Sequence, residues 1–462
     1  MPNNGLIRYN GILNSERLLV TSPKALGEVL TTKSYDFVKP SHLVNFLGRL
    51  LGVGILLAEG DEHRNQRKSL MPAFAFRHIK NLYPVFWDKS RDAVLQMTKE
   101  YKEDALKRNE LQVTEQGPTS EWVIDVGEWA SRATLDIIGI AASGQDFGAI
   151  ADPNTDLSVT YGIVFKPSPQ AQLLGFLNLF LPGWLVRLVP LKRNGEIEEA
   201  AALIRSTCMQ QIRTKKEKLE KGGLTDVDIL SVALESGGFT EENLVDQMMT
   251  FLAAGHETTA TAMIWAIYML SRNPDIQKRL RSEIRENLPS VEEQHTITSQ
   301  VVDHMPYLTA VCSEVLRYYP PVPLTIRDAC RDTTIAGEFV PKGTRIMLVP
   351  WAINKDPALW GPDAAEFNPD RWLQSPTNPA SANGGAASNY SFLTFLHGPR
   401  SCIGQKFAQA EFACLLAAWI GRFEFELNNK EEYDEEKMII KGGVTAKPAK
   451  GLYVKVKVVE GW

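Results

Sequence analysis

The stretch Phe395-Leu396-His397-Gly398-Pro399-Arg400-Ser401-Cys402-Ile403-Gly404-Gln405-Lys406-Phe407-Ala408 decides how this chain is read. A lone cysteine in an intracellular protein is by default a small buried hydrophobe. The neighbours of Cys402 argue for more. Gly398 and Gly404 let the backbone turn without a Cβ penalty and come close to something flat. The apolar run Phe407, Ala408, Phe412, Leu415 and Leu416 places Cys402 just before a helix N-terminus. The helix dipole and free N–H groups there favour a thiolate. Arg400 adds a fixed cation suited to clamping a carboxylate. Thiolate, planar crevice and clamp together describe a haem held through sulfur.

The spacing F-x-x-G-x-R-x-C-x-G, from Phe395 to Gly404, resembles the haem signature of the cytochrome P450 superfamily. The resemblance implies haem b (iron-protoporphyrin IX), with Cys402 as the axial iron ligand and Gly404 in the cofactor loop. It puts Arg400 on a haem propionate and Phe395 beside the sulfur. The implied fold is mainly α with small β-sheets. Its haem is buried between a long central helix and the cysteine loop with its following helix.

Other motifs were weighed against plainer readings. Ala254-Gly255-His256-Glu257-Thr258-Thr259 falls inside a helix expected from Thr240 to about Asn273, stopped by Pro274. A Gly and two Thr are poor helix formers, and the simplest compensation is a hydroxyl bonded to the carbonyl one turn earlier. The segment also resembles the family's oxygen-activation motif. That implies an opening beside Gly255 for a small ligand, with Glu257 and Thr258 as a catalytic acid–alcohol pair. Glu314-Val315-Leu316-Arg317 alone reads as an i,i+3 surface pair worth ~0.2–0.5 kcal/mol. With Phe367-Asn368-Pro369-Asp370-Arg371-Trp372 it resembles the family's buried network of Glu314, Arg317 and Arg371 behind the haem. Asp370 and Trp372 stand where the family often has Glu and Phe. His63 and Arg67, one turn apart, read plainly as exposed helix residues; by resemblance they and Arg327 contact the propionates. The substrate-facing positions implied are the loop His42–Leu57, Phe251, Ala254, Val322, Leu324 and the turn at Val444-Thr445.

Composition excludes several classes. Of 462 residues, 44% are apolar and 23% charged, and 50 Lys plus Arg against 55 Asp plus Glu give a net charge of −5. That balance, without a basic block, argues against nucleic-acid binding. Five cysteines without C-x-x-C make no disulfide framework, and seven scattered histidines give no zinc-hydrolase motif. No flavin or nicotinamide fingerprint is present, so NADPH-derived electrons are expected from a flavoprotein reductase. Lys68 and Lys406 are the candidate docking charges. The activity expected is insertion of one oxygen atom from O₂ into a small hydrophobic substrate, by a monomer with a fungal, secondary-metabolic look. The rivals are a non-oxygenating isomerase or dehydratase of the same fold, and a haem-binding sensor. An intact Glu257-Thr258 pair speaks against both.

Elsewhere, residues 6–20 and 333–349 read as short strands, with a last strand over 452–459. Ser22-Pro23 opens a helix burying Leu26, Val29 and Leu30. Ser131–Ala142 reads as an amphipathic helix. A second helix runs from Glu196 to Lys221 with a solvated tail from Arg213, stopping at Gly222-Gly223. Residues 374–390 read as an irregular loop. The charge-free segment Pro167–Val186 has too many prolines to span a bilayer. It is either a core helix plus loop or an interfacial loop, with Arg187, Lys192 and Arg193 placed to meet lipid head groups. The chain is expected to be one domain over 1–462, lacking the family's anchor and first helix. The full-length form belongs at the cytosolic face of the endoplasmic reticulum membrane, with this chain soluble or peripherally bound.

Overall fold

The helix Glu241–Arg272 is the axis around which the rest is packed. The structure is a computed structural model and describes residues 4–11, 14–107, 122–166, 168–221, 228–374 and 383–462. Thr240 caps the helix, its hydroxyl accepting from the Asn243 N–H at 3.2 Å. Pro274 ends it and fits the first turn of the next helix, Pro274–Asn287. At 1.5 Å per residue the long helix spans ~48 Å. Between Leu244 and Ser271 only Asp246, Ala254, Gly255 and Thr258 keep appreciable free surface. A helix buried all round is a core element. Ala254, Gly255 and Thr258 share one face, so the free surface of this part of the helix is concentrated on one side.

The helix Val126–Ser143 lies along this axis and is itself buried on nearly every side, where an amphipathic pattern was expected. Gly255 allows that approach. A Cβ there would sit 2.7 Å from Ile138 Cγ1 and Cδ1, so the missing side chain is filled by a neighbouring helix. The Cβ side of Gly255 is therefore closed, and the free surface it keeps lies away from Ile138. On another side, the helix Gln405–Arg422 packs against Tyr83–Lys107 and Pro274–Asn287. Phe407 meets Phe86 edge-on, with ring centroids 4.9 Å apart.

A five-stranded sheet flanks this bundle in the order Leu6–Asn10, Glu16–Val20, Arg345–Leu348, Thr325–Ala329, Phe37–Val38. Only the pairing of Glu16–Val20 with Arg345–Leu348 is parallel. Ser22 caps Pro23–Gly27, which runs into a π-helical turn, Glu28–Thr32. Leu26, Val29 and Leu30 close a second core with Val20, Ile346 and Leu348. Phe423–Leu427 alternates buried and exposed residues and pairs with Tyr453–Val458, which also pairs with Trp122–Asp125. A short hairpin, Ile440–Gly442 with Ala446–Pro448, reaches the long helix, where Trp265 Nε1 donates to Ala446 O at 2.8 Å.

Other expectations need adjustment. The helix expected from Glu196 begins at Lys192, and Lys215 in its tail is buried against Asp228 instead of solvated. Pro167, Gly222-Gly223 and residues 375–382 of the irregular loop lie outside the described residues. Among the described residues no helix is long and apolar enough to cross a membrane.

The Gly255–Ile138 contact gives a direct test. Gly255→Val overpacks a fixed interface and should lower stability by ~1–3 kcal/mol in denaturant unfolding. Adding Ile138→Ala should recover part of that loss, because the two sites share one space.

Candidate active site

The cysteine loop is held by its backbone. Gly398 takes φ +76°, and a Cβ there would lie 2.1 Å from Leu30 O. Only glycine lets the loop pass beneath the π-helical turn. The Cys402 N–H then donates to Phe395 O at 2.9 Å, closing the loop ahead of the helix that Gly404 caps. Cys402 has free surface, yet desolvation pushes its thiol above the ordinary value. The Gly404 N–H and the Arg67 charge pull the other way. Surface and desolvation coexist when a sulfur opens into an enclosed chamber. A thiolate there is favoured by a bound cation, and an iron centre supplies one. Beside it, a Cβ on Gly404 would meet nothing nearer than Phe74 Cε1 at 3.8 Å. Phe74 in turn contacts Phe251 on the long helix, ring centroids 5.5 Å apart.

Next to the loop lies a buried excess of positive charge. Arg400 donates to Ser34 O and Phe37 O and pairs with Glu59. Glu59 also takes the Lys39 N–H at 2.9 Å and lies 3.6 Å from Lys39 Nζ. Arg327 donates to Thr325 Oγ1 and Ile326 O, and Arg67 donates to Ser401 O at 2.7 Å. Lys39, Arg67, Arg327 and Arg400 thus gather with Glu59 as their acid. The strain shows in their protonation. Burial and the Arg327 and Arg400 charges bring Lys39 down to about 7. Burial and Arg400 bring Arg327 down to about 10. His63, whose Nδ1 lies 3.1 Å from Tyr35 Oη, is held at about 4 by burial and the cations, and is neutral at pH 7. Arg400 Nε is buried without a hydrogen-bond partner. A group bringing two carboxylates fits this surplus, and haem brings two.

The acid–alcohol pair is arranged differently from a direct relay. Thr258 Oγ1 donates to Ala254 O at 2.8 Å, the plain helical back-bond, while its side chain borders the chamber. Glu257 points elsewhere. Its Oε1 accepts from Thr445 Oγ1 and Lys447 Nζ, each at 2.8 Å, tying the long helix to the C-terminal hairpin. Adjacent helix positions do not face each other.

Glu314, Arg317 and Arg371 come together fully buried. Arg317 Nε and Nη2 reach the two Glu314 oxygens at 2.8 and 2.7 Å, and Arg371 Nε reaches Oε1 at 3.1 Å. Trp372 Nε1 and the Asn368 N–H complete the shell at 2.9 and 2.8 Å. The surface-pair reading of Glu314 and Arg317 is therefore wrong. Trp372, at the position where the family often has Phe, adds a donor. Arg317 Nη1 also donates to Asn354 O, and Asn354 holds the Leu393 N–H and Thr394 Oγ1 just before Phe395.

Of the substrate positions, Phe251 is buried, Ala254 and Val322 are partly exposed, and Leu324 and Val444 are exposed. Sequence reasoning missed Lys39, Glu59, Asn354 and Lys447. Each acts through a partner far along the chain, and none sits in a motif. The only signal available was Lys447, a charge inside a short strand.

The Cytochrome P450 family model matches residues 11–456. Cytochrome P450 monooxygenase sphH of Aspergillus fumigatus is 48% identical over 469 residues, covering 100% of this chain and 82% of that protein. Cytochrome P450 monooxygenase FUM15 of Gibberella moniliformis is 46% identical, covering 98% and 81%. Cytochrome P450 monooxygenase ALT8 of Alternaria alternata is 45% identical, covering 99% and 84%.

The cation cluster predicts a pH dependence. Folded Lys39 loses its proton around pH 7, whereas unfolded lysine keeps it to about pH 10. The unfolded state binds more protons in that window, so stability of the cofactor-free chain should rise with pH across it. Lys39→Met should flatten the rise in thermal unfolding, and loading haem should shrink it.

Proposed function

This chain belongs to the cytochrome P450 family and is a haem-thiolate monooxygenase using O₂ and a redox partner, and we propose that its substrate is a small hydrophobic molecule of fungal secondary metabolism. The observation that carries this reading is the cysteine loop and what it faces: Cys402 keeps free surface ahead of the helix that Gly404 caps, Phe74 links Gly404 to Phe251 on the long helix, and Ala254 and Thr258 on that helix keep free surface close by in sequence. None of these helix and loop neighbours of Cys402 is charged. The isomerase and sensor alternatives leave Glu257 and Thr258 without a catalytic task.

Haem held through Cys402 would supply dioxygen activation, and a thiolate ligand would enrich it in electron density. The residues divide the remaining work. Arg67, Arg327 and Arg400 would hold the cofactor's carboxylates, beside a neutral His63. The Thr258 hydroxyl spends its proton on Ala254 O and so offers an acceptor to the chamber. Glu257 brings protons from the Lys447 side, reaching the Thr258 face through water or a change of rotamer. Electrons derived from NADPH arrive from an acidic flavoprotein reductase. The exposed Lys68 and Lys406, next to Arg67 and close to Cys402, support that choice and would mainly steer encounter. We read residues 1–462 as one domain acting as a monomer.

The test is spectroscopic. The reduced CO complex should show a strongly red-shifted Soret band that Cys402→His abolishes; a globin-like band in intact wild-type protein would refute the assignment. Thr258→Ala should keep the band while more reducing equivalents leave as hydrogen peroxide. Each tenfold loss of product-forming rate equals ~1.4 kcal/mol of transition-state stabilisation.

Membrane contact is part of the same proposal. The helices Pro169–Leu177 and Gly183–Arg187 bury Leu174 and Val186 in a small core with Ile197. Phe176 at 55%, Trp184 at 64% and Leu188 at 71% exposure leave an apolar face uncovered, together with Leu173, Leu179 and Phe180. A patch of this kind marks an interaction surface. Arg187 and Lys192 are exposed beside it, whereas Arg193 is buried, donating to Ile163 O and Val164 O, and is no head-group contact. We propose that the protein works at the cytosolic face of the endoplasmic reticulum membrane, touching lipid here. The chain should float with anionic vesicles at low salt, and Phe176→Asp with Trp184→Asp should abolish flotation. Absence of wild-type flotation would remove the membrane reading.

A further inference from the structure

Residues 51–55 turn their backbone toward the long helix and are met there by three side chains. Thr250 Oγ1 donates to Leu51 O at 2.8 Å. The Val53 N–H donates to Asp246 Oδ2 at 3.1 Å, and the Ile55 N–H to Gln247 Oε1 at 2.8 Å. The approach leaves no room for side chains. A Cβ on Gly52, at φ +65°, would lie 2.7 Å from Asp246 Cα, and one on Gly54 would lie 2.4 Å from Thr250 Oγ1.

The clamping side chains are themselves held. Asp246 Oδ1 takes Arg205 Nη1 at 3.1 Å, from the helix Lys192–Glu220. Gln247 Nε2 donates to Gln66 Oε1 at 2.9 Å, and Gln66 Nε2 to Glu62 Oε1 at 3.1 Å. That orients the Gln247 amide, so its oxygen is the end available to Ile55. Gln247, Thr250 and Gln66 are all buried. Gln247 also continues a stripe. Positions 247, 251, 254 and 258 recur at helical spacing, so Gln247 shares a face with Phe251, Ala254 and Thr258, ~16 Å along the axis from Thr258.

We propose that Gln247, flanked by Asp246 and Thr250, is a positioning residue for substrate, fixing residues 51–55 as a preformed wall at the end of the stripe that leads to Thr258. This rests on reading the chamber beside Thr258 as the substrate chamber. The wall is set by the protein's own hydrogen bonds before substrate arrives, so ordering it costs nothing on binding. Gln247 does no chemistry and acts only through the loop that it holds.

Two nitrogen ligands of ferric haem, imidazole and the larger 4-phenylimidazole, read the wall through their Soret shifts in the holoprotein. Hydrogen exchange at the Ile55 amide reads the clamp. Gln247→Leu removes both amide bonds at similar volume. Ile55 exchange should then quicken ~5–10-fold, the equivalent of about one hydrogen bond. Imidazole affinity should stay unchanged and 4-phenylimidazole affinity should shift about fivefold or more, on the same scale. Gln247→Glu keeps the acceptor for Ile55 and should restore both readouts toward wild type. Unchanged Ile55 exchange overturns the proposal. So does faster exchange with 4-phenylimidazole unaffected, or an equal effect on both ligands. If Gln247→Leu fails to fold, Thr250→Val, read at Ile55 and with both ligands, decides by the same criteria. A wild-type holoprotein without the thiolate CO band would instead refute the assigned activity, so the two failures are distinguishable.

Discussion

Glu314 carries a carboxylate with no solvent exposure, and the cysteine loop rests on how that charge is satisfied. Stripping a carboxylate of water costs several kcal/mol, recovered only when its acceptor sites are filled in good geometry. Here two guanidinium groups, an indole N–H and a backbone N–H fill them. An apolar cluster could pack the same volume at similar stability. It could not aim Arg317 at the carbonyls of Asn354, Ala364 and Glu366. Through Asn354 that orientation passes to Leu393 and Thr394, and so to the start of the loop that ends at Cys402. Removing one partner would leave a buried charge unpaired, at ~3–5 kcal/mol.

The molecule holds buried charge of two kinds. Around Glu314 every charge is met within the protein, and the network is complete by itself. Around Arg400 positive charge outruns negative, and burial has already stripped Lys39 and Arg327 of part of their basicity. The first arrangement makes a rigid platform. The second leaves a surplus of charge, so on the proposed reading the cofactor's carboxylates would act as counter-ions as well as handles.

Much of this was legible in the sequence because it depends on local chemistry. Thr240 and Pro274 bracket the long helix, and the glycines of the cysteine loop announce a tight turn. What was not legible depends on contacts between distant segments. A glycine in a helix signals either an opening or a close approach, and at Gly255 only the position of Ile138 decides which. Arg193 reads as a head-group contact beside Arg187 and Lys192, and only the carbonyls of Ile163 and Val164 show that it is engaged inside. The apolar run around Phe176 has the composition of a core segment, and nothing in that composition tells which side the bundle lies on. Glu59 and Lys447 belong to no pattern, because they answer charges that arrive from elsewhere in the chain.

The bond from the hairpin to Glu257 has a consequence for how such a protein changes. Thr445 and Lys447 hold the acid of the oxygen-activation motif, and Val444, one residue away, stands at the turn assigned to substrate. A mutation that reshapes the turn to admit a different molecule also disturbs the partners of Glu257, the proton donor in the proposed function. On those proposed roles, new substrate range and wasted reducing power would be inherited together at this hairpin. A lineage diversifying its chemistry should change the loop 51–55 and the helix stripe first, and leave residues 445–447 alone.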